Sequence, residues 1–264
     1  MSRYNNREQY FLELAETSRK YYTKYLSKQH NFGAGSAILE IGCGEGGNLL
    51  PFGEMGLTTC GIDIAPNKIT NARKFFEDRG LPHDFLCTDI ISEDVPRLKN
   101  SFDIIMVHDV IEHISPSVKS RFVHNLSYYL KPGGIIFFAF PAWMMPFGGH
   151  QQICKSKMCS KTPWMHLLPR SLYTKWLELG HEDPAQIKEL LSIKECKMTI
   201  ESFKKLIKNE YEIVDNRCWL VNPHYEAKFG MRPRHLWRPI AAIPWLRNFF
   251  STSTWFILSK REEC

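Results

Sequence analysis

Gly42, Gly44 and Gly47 stand at the spacing GxGxxG directly after the short apolar run Ala37-Ile38-Leu39-Glu40-Ile41. That order, strand into tight glycine turn, lets backbone amides approach a nucleotide-like ligand closely. The same segment, Leu39 to Gly47, also fits Glu-x-Gly-x-Gly-x-Gly through Glu40, Gly42, Gly44 and Gly46. An acid at this strand end can help to hold a ligand ammonium group, which neither NAD nor FAD offers. Asp63 closes a second apolar run 21 residues beyond Gly42, where a carboxylate can bond ribose hydroxyls. An alternative role for Asp63 is to cap the helix that opens near Pro66.

Three histidines able to titrate near neutrality, His113, His150 and His166, are candidates for general-base work. His150, in Pro146-Phe147-Gly148-Gly149-His150-Gln151-Gln152, follows a strand and is the preferred catalytic residue; its plainer role is to fix a loop. His113 reads as a structural residue on a helix side. The group His150, Cys154, Cys159 and His166 contains no CxxC pair and matches no structural zinc pattern, so no metal site is assigned. The eight cysteines are scattered, several in apolar runs, as free thiols packing like small hydrophobes.

The elements that must carry these groups follow from hydrophobic period and breakers. Apolar pairs recurring at helical spacing over 7–29 predict one or two amphipathic helices. Strands are expected at 37–41, 58–64, 83–87, 102–107, 135–140, 211–220 and 253–258. Helices are expected at 66–79, 118–130, 171–180, 184–191 and 199–209. The nearly all-apolar run Phe102–Val107 has the character of a strand covered on both faces. Lys131-Pro132-Gly133-Gly134 reads as the stop of the preceding helix. Strands alternating with helices give a doubly wound α/β sheet.

A chain of 264 residues with 44% hydrophobic and 23% charged content suits one domain of ordinary α/β size with an appendage. The expected parts are a helical cap at 1–35, a cofactor-binding core at 36–141, and substrate-side inserts at 142–197 and 222–250. No apolar run is long enough to span a bilayer, and the polar N-terminus lacks the core of a secretory signal, so a soluble cytoplasmic protein is expected. The formal charge of +6 is concentrated late, at Arg217, Lys228, Arg232, Arg234, Arg238, Arg247, Lys260 and Arg261. A solvated basic surface is the plain reading, an anionic partner the sharper one. Trp143, Met144, Met145, Trp164, Met165 and the Trp237–Trp245 stretch suit an apolar acceptor wall or a membrane face; the plain reading is that they are the inserts' own core.

From residue 38 to about residue 141 the chain resembles the class I S-adenosylmethionine-dependent methyltransferases, motif by motif and in order. Leu39–Gly46 resembles the first motif, Gly61-Ile62-Asp63-Ile64 the ribose loop, and Cys87-Thr88-Asp89-Ile90 the adenine loop. Phe102–Ile114 resembles the fourth-strand motif and Leu130–Gly134 the turn before the fifth strand. The resemblance implies a Rossmann-like sheet of seven strands with an antiparallel last strand, and S-adenosyl-L-methionine as cofactor. It also implies that Glu40 and the backbone of Gly42, Cys43, Gly44 and Gly46 hold the methionine part, Asp63 and Ile64 the ribose side, and Asp89 with Ile90 the adenine. His108 and Asp109 would line the methionine side. Asp109-Val110-Ile111-Glu112-His113 is similar to the Glu-x-x-Glu-His run that binds a divalent ion in ubiquinone-pathway and small-RNA methyltransferases, but begins with Asp. The expected activity is methylation, on oxygen, of a small molecule or a glycan- or lipid-linked precursor. Its rivals are an RNA methyltransferase using the basic C-terminal region, an NAD-linked oxidoreductase, and a non-catalytic cofactor-binding module.

Overall fold

In the computed structural model, residues 6–261 are described; the first five residues of the expected 1–35 cap lie outside them. The chain opens with α1 (Arg7–Thr17), capped by Asn6, whose side chain accepts from the Gln9 amide. A single π turn at Ser18–Tyr22 leads into the short α2 (Thr23–Leu26). Strand β1 (Ala37–Ile41) runs into the glycine turn and α3 (Leu50–Glu54). There follow β2 (Thr58–Asp63), α4 (Pro66–Glu77) with its proline at the first turn, β3 (Asp84–Cys87) and β4 (Phe102–His108). Next come α5 (Lys119–Tyr129) and β5 (Leu130–Phe140).

The insert after β5 holds α6 (Lys157–Lys161), α7 (Arg170–Leu179) and α8 (Pro184–Cys196), and α9 (Ile200–Ile207) starts from a Thr199–Ser202 capping box. The chain ends through β6 (Tyr211–Val221), α10 (His224–Phe229), the two-residue β7 (Arg234–His235), α11 (Arg238–Ala242) and β8 (Ser253–Lys260).

The strands form one sheet in the order β3-β2-β1-β4-β5-β8-β6-β7. Strands β1 to β5 pair in parallel; β8 lies antiparallel between β5 and β6. All seven expected strands are present, and β7 adds an eighth at the edge. The run Lys131–Gly134 does not separate helix from strand as expected. It is absorbed into a bulged start of β5, with Gly133 at φ +76° and a register shift opposite Phe102 and Ile104.

The central strands alternate between two apolar layers. On β5, Ile136, Phe138 and Phe140 pack with α5 and α9, while Ile135, Phe137 and Ala139 pack with α1, the π turn and α4. Cys154, Cys159, Tyr173, Leu177 and Leu190 make a third, separate core within the insert after β5. The result positions the site directly: Ile41, next to Glu40, and Asp63, Cys87, His108 and Phe140 all end parallel strands at one edge. The strand order reverses there, between β1 and β4, the place where open α/β sheets bind ligands.

Candidate active site

The glycine turn is shaped from beneath and from the side. Gly42 and Cys43 both donate their amides to the Ile62 carbonyl, and Gly44 donates to Asp63 Oδ2 at 2.9 Å. At Gly44 φ is +55° and an added Cβ would meet nothing within 4 Å, so this left-handed residue borders open space. Gly47 differs. An added Cβ there would lie 2.5 Å from the Phe11 carbonyl oxygen, so this glycine admits α1 onto the turn and does not face a ligand.

Glu40 lies under that turn, only 1% exposed. Its Oε1 accepts from Asn48 Nδ2 at 2.7 Å, while Oε2 is buried without a partner among the described residues. Burial raises its carboxyl to about 8, partly opposed by the Asn48 bond and reinforced by Asp63. Asp63 spends one bond on Gly44 and another on the Ala65 amide, so it orders both the turn and the entry of α4. The next residue, Ile64, is 73% exposed, an apolar side chain with nothing over it. Cys43 is buried, with its thiol pushed well up by burial. Asp89 accepts from the Ile91 amide and the Ser92 hydroxyl, both at 2.9 Å, and Ile90 is buried with its carbonyl bonded to Asn125.

On the other side of the edge, His108 is buried and its Nε2 shares a 2.8 Å hydrogen bond with the Tyr22 hydroxyl. Its Nδ1 is 3.6 Å from Asp109 Oδ2. Asp109 has φ +52°, a costly conformation for a residue with a side chain, held by its amide bond to Ala139. The turn after β4 then brings Glu112 and His113 against His150, which has φ +57°. The ligand atoms of these three all lie within 4.8 Å of one another, and the His113 and His150 rings meet edge-on at 4.9 Å. Both Glu112 oxygens are buried and make no hydrogen bond among the described residues, with Oε1 4.0 Å from His113 Nε2, and burial, with Asp109 next, pushes its carboxyl well up. Burial, then His113, lowers the His150 imidazole to about 4, so it stands neutral at pH 7. A cavity of about 400 Å³ adjoins His113 and is walled by α8 residues including Lys188, Ser192 and Ile193. A larger one, about 780 Å³, lies between α7 and α8 and touches none of these groups.

Several expectations change. His113 is not on a helix side but in the β4 exit turn beside His150. His166 is fully buried, its Nε2 donating to the Trp143 carbonyl at 2.8 Å, and serves the insert after β5. Cys154 and Cys159, by contrast, pack as free thiols in the core of the insert after β5, as expected. The insert-core reading holds for Trp143 and Met145, which are buried, and fails for Trp164, Trp237 and Trp245, which are exposed. Tyr22 and Tyr225, whose phenol is raised by burial and then by the Asp109 charge, escaped sequence reasoning as site residues.

Fold and edge together define a class: a Rossmann-like α/β domain with a ligand edge where the strand order reverses. Residues 38–134 match the family described as "Methyltransferase domain", and the chain carries such a domain. A ubiquinone biosynthesis O-methyltransferase from Nitrobacter winogradskyi is 34% identical over 103 residues, 39% of this chain and 38% of the relative. One from Coxiella burnetii is 26% identical over 164 residues, 60% of this chain and 67% of the relative. The chain thus spans about two fifths of the length of the first of these relatives. In fold it is similar to the plantazolicin methyltransferase BpumL in complex with SAH, with TM-score 0.55 and 15% identity, covering 98% of this chain and 88% of that one. A methyltransferase from Clostridium acetobutylicum gives TM-score 0.58 at 11% identity, over 92% and 91% of the chains.

Proposed function

We propose that the protein transfers a methyl group from S-adenosylmethionine to an oxygen of a small molecule, free or linked to a lipid or glycan. The observation that carries this reading is a two-sided edge. The Gly44 turn with Asp63 and Ile64 lies on one side, and Glu112, His113 and His150 lie next to a cavity on the other. The residues suit the cofactor: Gly44 borders open space, Ile64 offers an uncovered apolar face, and Glu40 keeps one buried oxygen unpaired for the ammonium. When bound, S-adenosylmethionine supplies a methyl carbon on a positively charged sulfur that leaves as a neutral thioether.

The chain's own task is alignment and the proton. Glu40, Asp63 and Asp89 fix the two ends of the cofactor, and the Tyr22–His108 bond fixes the wall between cofactor and acceptor. His150, neutral at pH 7, accepts the hydroxyl proton of the acceptor as its oxygen attacks in line. An imidazole lowered to about 4 is a weak base, and alignment of the attacking oxygen with the methyl carbon carries the rest. O-methylation is also the activity in the printed names of the Nitrobacter and Coxiella relatives.

A second reading of the same cluster rests on the two Glu112 oxygens, which make no hydrogen bond among the described residues. Glu112, His113 and His150 would together hold a divalent cation, a mixed oxygen and nitrogen donor set that suits several ions. Such an ion would supply charge stabilisation for an ionising hydroxyl. The test of the function is transfer from labelled cofactor into cell extract, with and without a chelator, followed by mass analysis of the labelled product. A labelled small molecule is expected. Label confined to RNA, or no label at all, would sink the reading.

A further inference from the structure

The insert between β6 and β8 leaves uncovered what a globular surface usually hides. Trp237 is 69% exposed, Phe229 56% and Trp245 55%, with Met231 and Ile243 exposed between them. Along the same stretch Arg232, Arg234 and Arg238 are exposed and form no salt bridge among the described residues. Glu226 is the one acidic residue between 222 and 250, and it is taken by Tyr21 and Lys20. Glu226 also feels the Arg232 charge, so one acid faces three arginines here, and large apolar side chains with excess positive charge in one segment mark an interaction surface and not a solvated face.

We infer that residues 229–246 form an interfacial membrane-binding surface that docks on an anionic phospholipid layer. Indoles sit at the boundary between headgroup and acyl chain, with the ring in the apolar layer and the N–H in the wet one. Arginine guanidiniums bond headgroup phosphates, and basic residues are drawn to an anionic lipid surface. The charge is complementary to anionic lipid. RNA is the weaker occupant, because Met231, Ile243 and three prolines stand between the rings, and none has a π-face for a base to stack on.

The surface is anchored to the rest of the fold through α10. Phe229 meets Tyr225 edge-on with centroids 5.4 Å apart, and burial with the Asp109 charge raises the Tyr225 phenol. Helix α10, which carries both rings, is held on the N-terminal helices by the Thr17–His224 and Tyr21–Glu226 bonds. Membrane binding itself does not depend on the methyl-transfer reading and is tested without turnover.

The full chain is sedimented with vesicles of equal parts phosphatidylcholine and phosphatidylglycerol, with vesicles of phosphatidylcholine alone, and in parallel titrated with single-stranded RNA. Binding to the mixed vesicles about tenfold tighter than to the neutral ones is expected, weakened by salt. Trp237→Ser, and separately Arg232→Glu with Arg234→Glu and Arg238→Glu, should each reduce it about fivefold or more at unchanged melting temperature. Leu179→Ser, an exposed apolar residue on α7, should leave it unchanged. Failure to sediment with the mixed vesicles, equal binding by the arginine variant, or RNA binding in place of vesicle binding would each overturn the inference.

Discussion

The Tyr22 hydroxyl, on the π turn of the N-terminal helix, bonds Nε2 of His108 at the exit of β4, 86 residues away. One extra residue in a helical turn redirects the side chains that follow it, and π turns gather at functional sites for that reason. Here the turn aims Tyr22 into the sheet, where it also packs on Phe137 and Trp255. Tyr22→Phe keeps that packing and deletes one buried hydrogen bond. Cofactor affinity is expected to fall about three- to tenfold, the equivalent of ~0.5–1.5 kcal/mol, by calorimetry with S-adenosylhomocysteine.

Gly44 and Gly47 separate ligand from packing. Gly44→Ala places a methyl group in open space at φ +55°, so it costs about 1–2 kcal/mol of strain and obstructs the cofactor. Gly47→Ala drives a methyl group against the Phe11 carbonyl and the Leu14 side chain. Its expected cost is ~1–3 kcal/mol of stability. Thermal melts with and without S-adenosylhomocysteine should show Gly47→Ala melting lower, and Gly44→Ala losing most of the ligand-induced rise.

Two buried groups pull the pH dependence of stability in opposite directions. Burial lowers His166 from 6.5 to about 4, so the stability it contributes is full above pH 6.5 and is lost as pH falls toward 4. Glu40 is raised from 4.5 to about 8, so its contribution is full below pH 4.5 and is lost as pH rises through 8. Glu40→Gln keeps an acceptor for Asn48 and removes the buried charge. It should be more stable than the parent by about 2–4 kcal/mol at pH 8, with no gain near pH 4.5. Urea unfolding at both pH values measures this, and an equal change at each would show that the charge is not the cause.

His150→Asn keeps a residue that tolerates a positive φ while removing the ring. Affinity for S-adenosylhomocysteine should stay within about twofold, while transfer falls by about a hundredfold or more. If the cluster holds a divalent ion, the same variant also loses the melting-temperature rise that the metal gives the parent protein.

The strands and the cofactor edge were legible because they depend on local order. Apolar runs between glycine and proline breakers mark β1 to β5. Chain sequence alone then delivers Glu40, Asp63, Asp89 and His108 to neighbouring strand ends. The acceptor side was not legible for the opposite reason. Glu112 and His113 meet His150 only after β5 has been laid beside β4, and Tyr22 and Tyr225 arrive from elements that no local pattern pairs with the site. Trp237 and Trp245 misled in another way, since aromatic side chains read as core wherever composition is all there is to go on.

Titration of S-adenosylhomocysteine and of NAD into the protein and into Asp63→Ala tests the central claim most directly. Micromolar binding of S-adenosylhomocysteine, weakened at least tenfold by Asp63→Ala as both the ribose contact and the Gly44 tether are lost, is the predicted result. Binding of NAD with no response to S-adenosylhomocysteine would contradict it.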